Sequence, residues 1–339
     1  MSTEEQPPSK RKRVDSSDNT VDPIRSDIWY DDGNVVLQAQ NTQFKVYRGI
    51  LAQSSPVFKD MFMIPQPPIE DTQLVEGCPV VCLSDSAEEV RYVLRALSGQ
   101  RLKVFAHQLS YPEFAAFLCL GQKYDIQELY LEAKRKLFEL CPATLEKYRV
   151  RSDALDWGDI EAPKGEYMDL VILARRTGLL SILPWALYKT CTTYTTNAIA
   201  NGVPMLDGSI VRLLPQDQLA CLTGFHDAIY TQGETSFRWI EGPQPLSPSC
   251  VTPQDCKRGR RSFGGKVFRP STPLMALALM NYHSVDEGTP KGICRACYEA
   301  AYASHLAGRI EFWERLPVMF GLPPWTELLK EREEMDILS

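Results

Sequence analysis

The sequence predicts an α+β protein: a small β-sheet flanked by helices, followed by a mostly α-helical C-terminal region. Three observations carry this. Between Asp27 and Val46 apolar and polar residues alternate around an Asp32-Gly33-Asn34 turn, the period-two pattern of strands. From Ser86 to Pro142 apolar residues return at helical spacing after the Ser86 cap, with stops at Gly99 and Pro142. From Tyr167 to Leu329 the same spacing recurs, and this whole region is expected to be helical.

Residues 1–25 hold Pro, Ser and Asp with almost nothing apolar, and are expected to form a disordered basic tail that cannot offset the entropy of ordering. Within it Lys10, Arg11, Lys12 and Arg13 stand together beside a proline pair. Such a run is either an extended peptide for a nuclear-import receptor or a solvated charge cluster. Ordered structure is expected from about Asp27. Ile28 and Tyr30 enter the Asp32-Gly33-Asn34 turn, and Val35, Leu37 and Ala39 leave it, which reads as a β-hairpin. "TQFKVYR" reads as a further strand entering a short helix over "RGILAQSS". Ser54 or Ser55 caps the next helix, with Pro56 at its first position, where the missing N–H costs nothing. Val57, Phe58, Met61 and Phe62 fall at helical spacing there.

A proline-rich loop, "PQPPIEDTQLVEGCP", and a short strand, "VVCLSD", come next. Ser86 and Glu89 read as a capping box at the head of a helix that Gly99 ends. Two more helices meet near Tyr124-Asp125, and Pro142 stops the second. Beyond a linker at 143–166, the region 167–332 reads as a helical domain. Two packed helices are expected to join near Gly178, and "DGSIVRLLPQDQLACLTGFHDAIYTQ" reads as two further helices. Phe225, His226, Ile229 and Tyr230 share a side of the latter, and His226 is expected as a core residue, not a ligand.

At 339 residues the chain suits two domains or one elaborated one, and a hydrophobic fraction of 44% is enough to bury a core. The net charge of -6 works against nucleic-acid binding by the surface as a whole. No uninterrupted apolar run reaches the roughly 18 residues that span a bilayer, and the polar N-terminus leads us to expect no secretory leader. A nuclear or cytoplasmic setting is therefore expected, with the ten cysteines as thiols or metal ligands.

In this order, the elements resemble the BTB/POZ domain over 26–142. The resemblance rests on Asp27, then "FKVYRGILAQSSPVFKDMF" with Phe44, Val46, Tyr47, Arg48, Leu51, Ser54, Phe58, Met61 and Phe62, then "LGQKYDI" with Lys123, Tyr124 and Asp125. Tyr47 departs from the pattern, which usually has His there beside the acidic residue, so the charge of that groove is not carried over. The tail before Asp27 shows no helix or strand of the kind that BTB dimers exchange. "CRACYEAAYASHLAGRIEFWERLPVMFGLPPWTEL" is similar to the C-terminal segment of the BTB proteins expanded in mushroom-forming (basidiomycete) fungi. The resemblance implies a non-catalytic protein-interaction protein, a transcription regulator or a ubiquitin-ligase substrate adaptor. Its implied partners are other proteins: itself, another BTB protein or a cullin, with no membrane.

Two cysteine pairs stand out. Cys250 and Cys256 are spaced C-x-x-x-x-x-C in a polar, turn-rich stretch, and Cys294 and Cys297 form a C-x-x-C. Two close pairs far apart in sequence suit a structural zinc, though ordinary thiols would give the same spacing. His305 is a further candidate ligand. Between the pairs, residues 257–266 gather Lys257, Arg258, Arg260, Arg261 and Lys266 with Phe263. They read first as a solvated loop, and alternatively as the nucleic-acid contact of a nuclear regulator that also uses the zinc site. None of the four histidines (His107, His226, His283, His305) sits in a hydrolase or metalloprotease pattern, and no enzyme activity is expected.

Overall fold

The chain is α+β in the computed structural model, which describes residues 22–64, 74–99, 105, 108–150, 157–205, 208–243, 246–268, 273–278 and 292–338. Lys10 to Arg13, most of the expected tail, residues 65–73 of the proline-rich loop, His107 and His283 lie outside those residues.

Three strands come first: β1 (Ile24–Trp29), β2 (Val35–Ala39) and β3 (Thr42–Val46). Asp27 lies inside β1, so a strand does begin ahead of it. The hairpin is not built on Asp32-Gly33-Asn34. Instead β2 and β3 pair antiparallel across Gln40-Asn41, with Gln40 at φ 51°, and β1 runs parallel along the other edge of β3. Residues 30–34 do reverse the chain, the Gly33 N–H donating to Tyr30 O, but β3 lies between the strands they join. Burial explains the order. Val35, Leu37, Ala39, Phe44 and Val46 are buried and claim the centre, while Ile24 of β1 is 63% exposed and accepts an edge. β4 (Leu74–Val75) and β5 (Cys78–Leu83) complete the sheet in the order β1-β3-β2-β5-β4.

Helices α1 (Arg48–Ser54) and α2 (Pro56–Met63) meet at Ser55. Ser55 is the cap: its Oγ accepts the Phe58 N–H at 3.0 Å and donates to the Tyr124 carbonyl. Ser54 points back to Ile50 O at 2.8 Å. Ser55→Ala is therefore expected to cost about 1–2 kcal/mol, and Ser54→Ala less than about 0.5 kcal/mol. Urea midpoints check this; equal effects would contradict the assignment.

Ser86 caps α3 (Ala87–Ser98), accepting the Glu88 N–H at 3.3 Å. The expected partner Glu89 is drawn elsewhere: its carboxylate pairs with Arg176 at 2.7 Å. Gly99 ends the helix in extended geometry, φ -84°, without a left-handed cap. The helices α4 (Tyr111–Lys123) and α5 (Gln127–Leu140) turn at Asp125, φ 52°. Gly121 lets them close up, since a Cβ there would lie 3.0 Å from the Tyr130 backbone N. A short α6 (Leu145–Val150) follows.

The second half holds α7 (Glu166–Thr177) and α8 (Leu183–Thr193), joined through Gly178 at φ 70° as the sequence suggested. Then come α9 (Thr196–Asn201), β6 (Val203–Pro204), β7 (Ile210–Val211) and α10 (Pro215–Glu234). The chain closes with α11 (Pro253–Val267), α12 (Arg295–Met319), α13 (Trp325–Leu328) and α14 (Lys330–Leu338). The region is thus not wholly helical. β6 and β7 pair antiparallel, and the stretch read as two helices is a strand plus one 20-residue helix.

The packing of α10 reverses another expectation. Its buried face is Asp217, Cys221, Gly224, Ala228 and Gln232, while Phe225 is 37% and Tyr230 68% exposed. Small residues win because they allow closer approach: a Cβ at Gly224 would sit 2.4 Å from the Phe320 ring. Asp217, 1% exposed at its side chain, is paired with Arg175 of α7 at 2.7 Å. His226 faces outward, its side chain 85% exposed, and is not a core residue.

One hydrophobic core runs through both halves, joining Phe117 and Leu137 to Leu170, Leu183 and Phe312. Polar contacts cross the same boundary. Tyr111 Oη donates to Asp169 O at 2.9 Å, Gln122 Nε2 to Thr177 O at 3.0 Å, and Arg332 Nη1 to Phe138 O at 3.0 Å. Among the described residues no helix is long and apolar enough to cross a membrane.

Candidate metal centre

The two cysteine pairs converge. Cys250 ends the turn before α11, Cys256 lies in its first turn, Cys294 is the N-cap of α12 and Cys297 lies in the first turn of α12. Their four sulfurs all fall within 4.8 Å of one another. Cys250 Sγ stands 3.7 Å from Cys256 Sγ and 3.8 Å from Cys294 Sγ. Four sulfurs bound about 2.3 Å from a central ion at tetrahedral corners stand roughly 3.8 Å apart. All four are free cysteines, and these two separations match that edge and not a sulfur–sulfur bond of about 2.05 Å.

Local structure explains the convergence. Pro253 opens α11 and brings Cys256 inward, 2% exposed, while Cys297 on the inner side of α12 is 1% exposed. Ile293, Leu246 and Tyr298 pack around the sulfurs. The two helix starts approach closely through glycines: a Cβ at Gly259 would lie 2.7 Å from Gly292 O. Cys256 Sγ accepts the Cys294 N–H at 3.2 Å and lies 3.4 Å from Thr252 Oγ1. The Cys297 backbone N–H pulls the Cys294 thiol down to about 6, as expected at a helix N-terminus. Burial pushes Cys250 up to about 12 and raises Cys297. Such a cluster of soft donors can hold a metal ion, and with four protein ligands it leaves no open coordination position.

His305 is not part of this centre. It is fully buried, its Nδ1 lying 2.8 Å from Ser236 O and its Nε2 3.2 Å from Ala278 O. Burial holds it below the ordinary imidazole range; the two carbonyls oppose that shift and Arg309 adds to it. The unfolded chain takes up this proton near pH 6.5, the folded chain only at lower pH. The contribution is therefore fully present above about pH 6.5 and is lost as pH falls through the folded value. Urea midpoints measured from pH 7.5 to 5 should fall less steeply for His305→Gln than for wild type. Parallel curves would remove His305 as the cause.

Residues 257–266 are not a loop but most of α11. The glycines are tolerated because two of them pack: beside Gly259 on Gly292, Gly264 would bring a Cβ 2.9 Å from Ile240 Cγ2. Arg258 and Arg261 face solvent, whereas Arg260 is 1% exposed. The run therefore offers a smaller basic face than its sequence suggested.

The residues quoted for the N-terminal motif fall mainly inside. Phe44, Val46, Leu51, Phe58 and Phe62 are buried, and Met61 packs against them half-buried. Tyr47 stacks on Tyr30 with centroids 4.9 Å apart, and its hydroxyl donates to Asp32, which raises the phenol above its usual range. It does not face Asp27. That carboxylate accepts from Arg95 at 2.7 Å and pairs with Arg91 at 3.2 Å, and the Arg95 hydrogen bond is the main cause of its lowered pKa. Arg48 lies over the Phe62 ring at 5.0 Å, and Lys123 pairs with Asp85 at 2.7 Å. No protein-family model matches the chain, and no curated protein matches it in sequence.

Proposed function

We propose that this chain is a non-catalytic protein-interaction protein, with a BTB/POZ-type module in its first part and a C-terminal helical part stapled by a structural zinc ion. The observation that carries the first half is the meeting of its two motif stretches. Phe58 stacks on Tyr124 with centroids 4.6 Å apart, and the Ser55 hydroxyl donates to the Tyr124 carbonyl. "AQSSPVFKDMF" and "LGQKYDI" thus form one joint, which is what a shared fold requires of residues so far apart in sequence. The zinc is supported by the sulfur spacing, and a closed all-thiolate site stabilises without catalysing.

On this reading the partners are proteins: a second copy of this chain, another BTB protein, or a cullin, with roles as a ubiquitin-ligase adaptor or a transcription regulator. Sedimentation equilibrium of the full chain, with titration of a cullin N-terminal domain, tests it. Self-association or saturable cullin binding with a Kd on the order of micromolar is expected. A chain that stays monomeric and binds no cullin would overturn these partners. Duplex DNA is the counter-test, since saturable, salt-dependent binding would favour a nucleic-acid regulator instead.

A further inference from the structure

Arg260 lies on α11, one turn beyond Cys256, and is 1% exposed. Its guanidinium donates to Trp239 O at 2.7 Å and, at 3.5 Å each, to Gly242 O and Pro243 O. Carbonyl dipoles satisfy these donors but carry no net charge, and among the described residues no carboxylate forms an ion pair with this guanidinium. A buried cation without a counter-charge is costly. The groups that act on it electrostatically are Cys297, the exposed Glu241, Cys256 and the like-charged Arg261. Two of these are candidate ligands of the four-cysteine centre.

The centre has the opposite problem. Four thiolates around one divalent ion leave two net negative charges in a largely buried site. Backbone N–H groups and Thr252 offset part of that charge, but as dipoles only. We propose that Arg260 is the internal counter-cation of this centre, so that metal binding and burial of the guanidinium stabilise each other. The proposal rests on the zinc reading above. It accounts for an arginine that turns inward from an otherwise solvent-facing basic run. It also implies that in the metal-free protein the charge inside α11 is balanced only by the exposed Glu241, which sharpens the coupling between metal and fold.

Zinc competition against a chromophoric chelator, on the full-length protein across pH, tests this with Arg260→Met, Arg260→Lys and Arg309→Met. Arg309 is a comparable buried arginine that donates to Leu277 O, about 18 Å further along α12 than Cys297. Zinc affinity is expected to fall about tenfold or more in Arg260→Met, the range for groups supporting metal ligands, and to be largely kept in Arg260→Lys and Arg309→Met. The pH midpoint of zinc uptake should rise in Arg260→Met alone. If Arg260 only braces the 239–243 carbonyls, the Met and Lys variants will lose stability alike, with and without zinc, at unchanged affinity; that result overturns the proposal. Should Arg260→Met fail to fold, Arg260→Gln takes its place: it is neutral but can still donate to a carbonyl, so a loss of affinity of about tenfold supports the charge role and unchanged affinity overturns it. A wild-type protein that takes up no zinc overturns the zinc reading itself, and this proposal with it.

Discussion

Removing the metal from the proposed zinc centre should loosen the junction of α11 and α12 while leaving the five-stranded sheet intact. The metal would join two helix starts that otherwise meet through glycines and a small apolar cluster of Cys256, Ile293 and Cys297. Structural zinc contributes on the order of 10–16 kcal/mol in small zinc-binding peptides, and on the proposed reading that binding energy would become folding energy of the junction. The effect stays local because the later turns of α12 bury Phe312, Trp313 and Leu316 in the main core. Elemental analysis of protein purified without added metal should find near-stoichiometric zinc. After chelation, amide exchange should quicken across 250–260 and 292–300, with a lowered thermal midpoint. Cys294→Ser should reproduce the loss. Cys119→Ser should not, because Cys119 lies on α4, its thiol pushed up to about 11 by burial. Protein without zinc, or with exchange unchanged by chelator, would reduce the four residues to ordinary thiols.

Phe58→Ala should destabilise the chain by about 3–5 kcal/mol, the cost of truncating a buried aromatic ring and leaving a cavity. Phe58 is 3% exposed and stacks between Tyr124 at 4.6 Å and Phe62 at 6.0 Å. The ring ties α2 to the α4–α5 turn, so its loss weakens a long-range joint and not only one helix. Val57→Ala is the control on the same helix; Val57 is 37% exposed and should shift the urea midpoint far less. A Phe58→Ala cost below about 1 kcal/mol would mean that this joint does not stabilise the fold.

The sequence alone determined what depends on near neighbours. A serine at 54 or 55 with Pro56, and Ser86, start helices because a cap needs only an oxygen and N–H groups two or three residues on. Gly178 ends α7 because it enters the left-handed region at φ 70° without a Cβ clash. The cysteine pairs were legible because each pair is local, even though their meeting is not. Tertiary structure decided every choice among partners. β3 came between β1 and β2 because the most apolar strands take the sheet centre. Glu89 left its own cap for Arg176, a residue no local pattern connects to it. α10 turned its aromatic side outward because Gly224 packs closer than Phe225 would. Arg260 turned inward from a run that reads as uniformly solvated. Caps, turns and spacing act within about one helical turn of chain, whereas the face a helix buries depends on surfaces that meet only once the chain has folded.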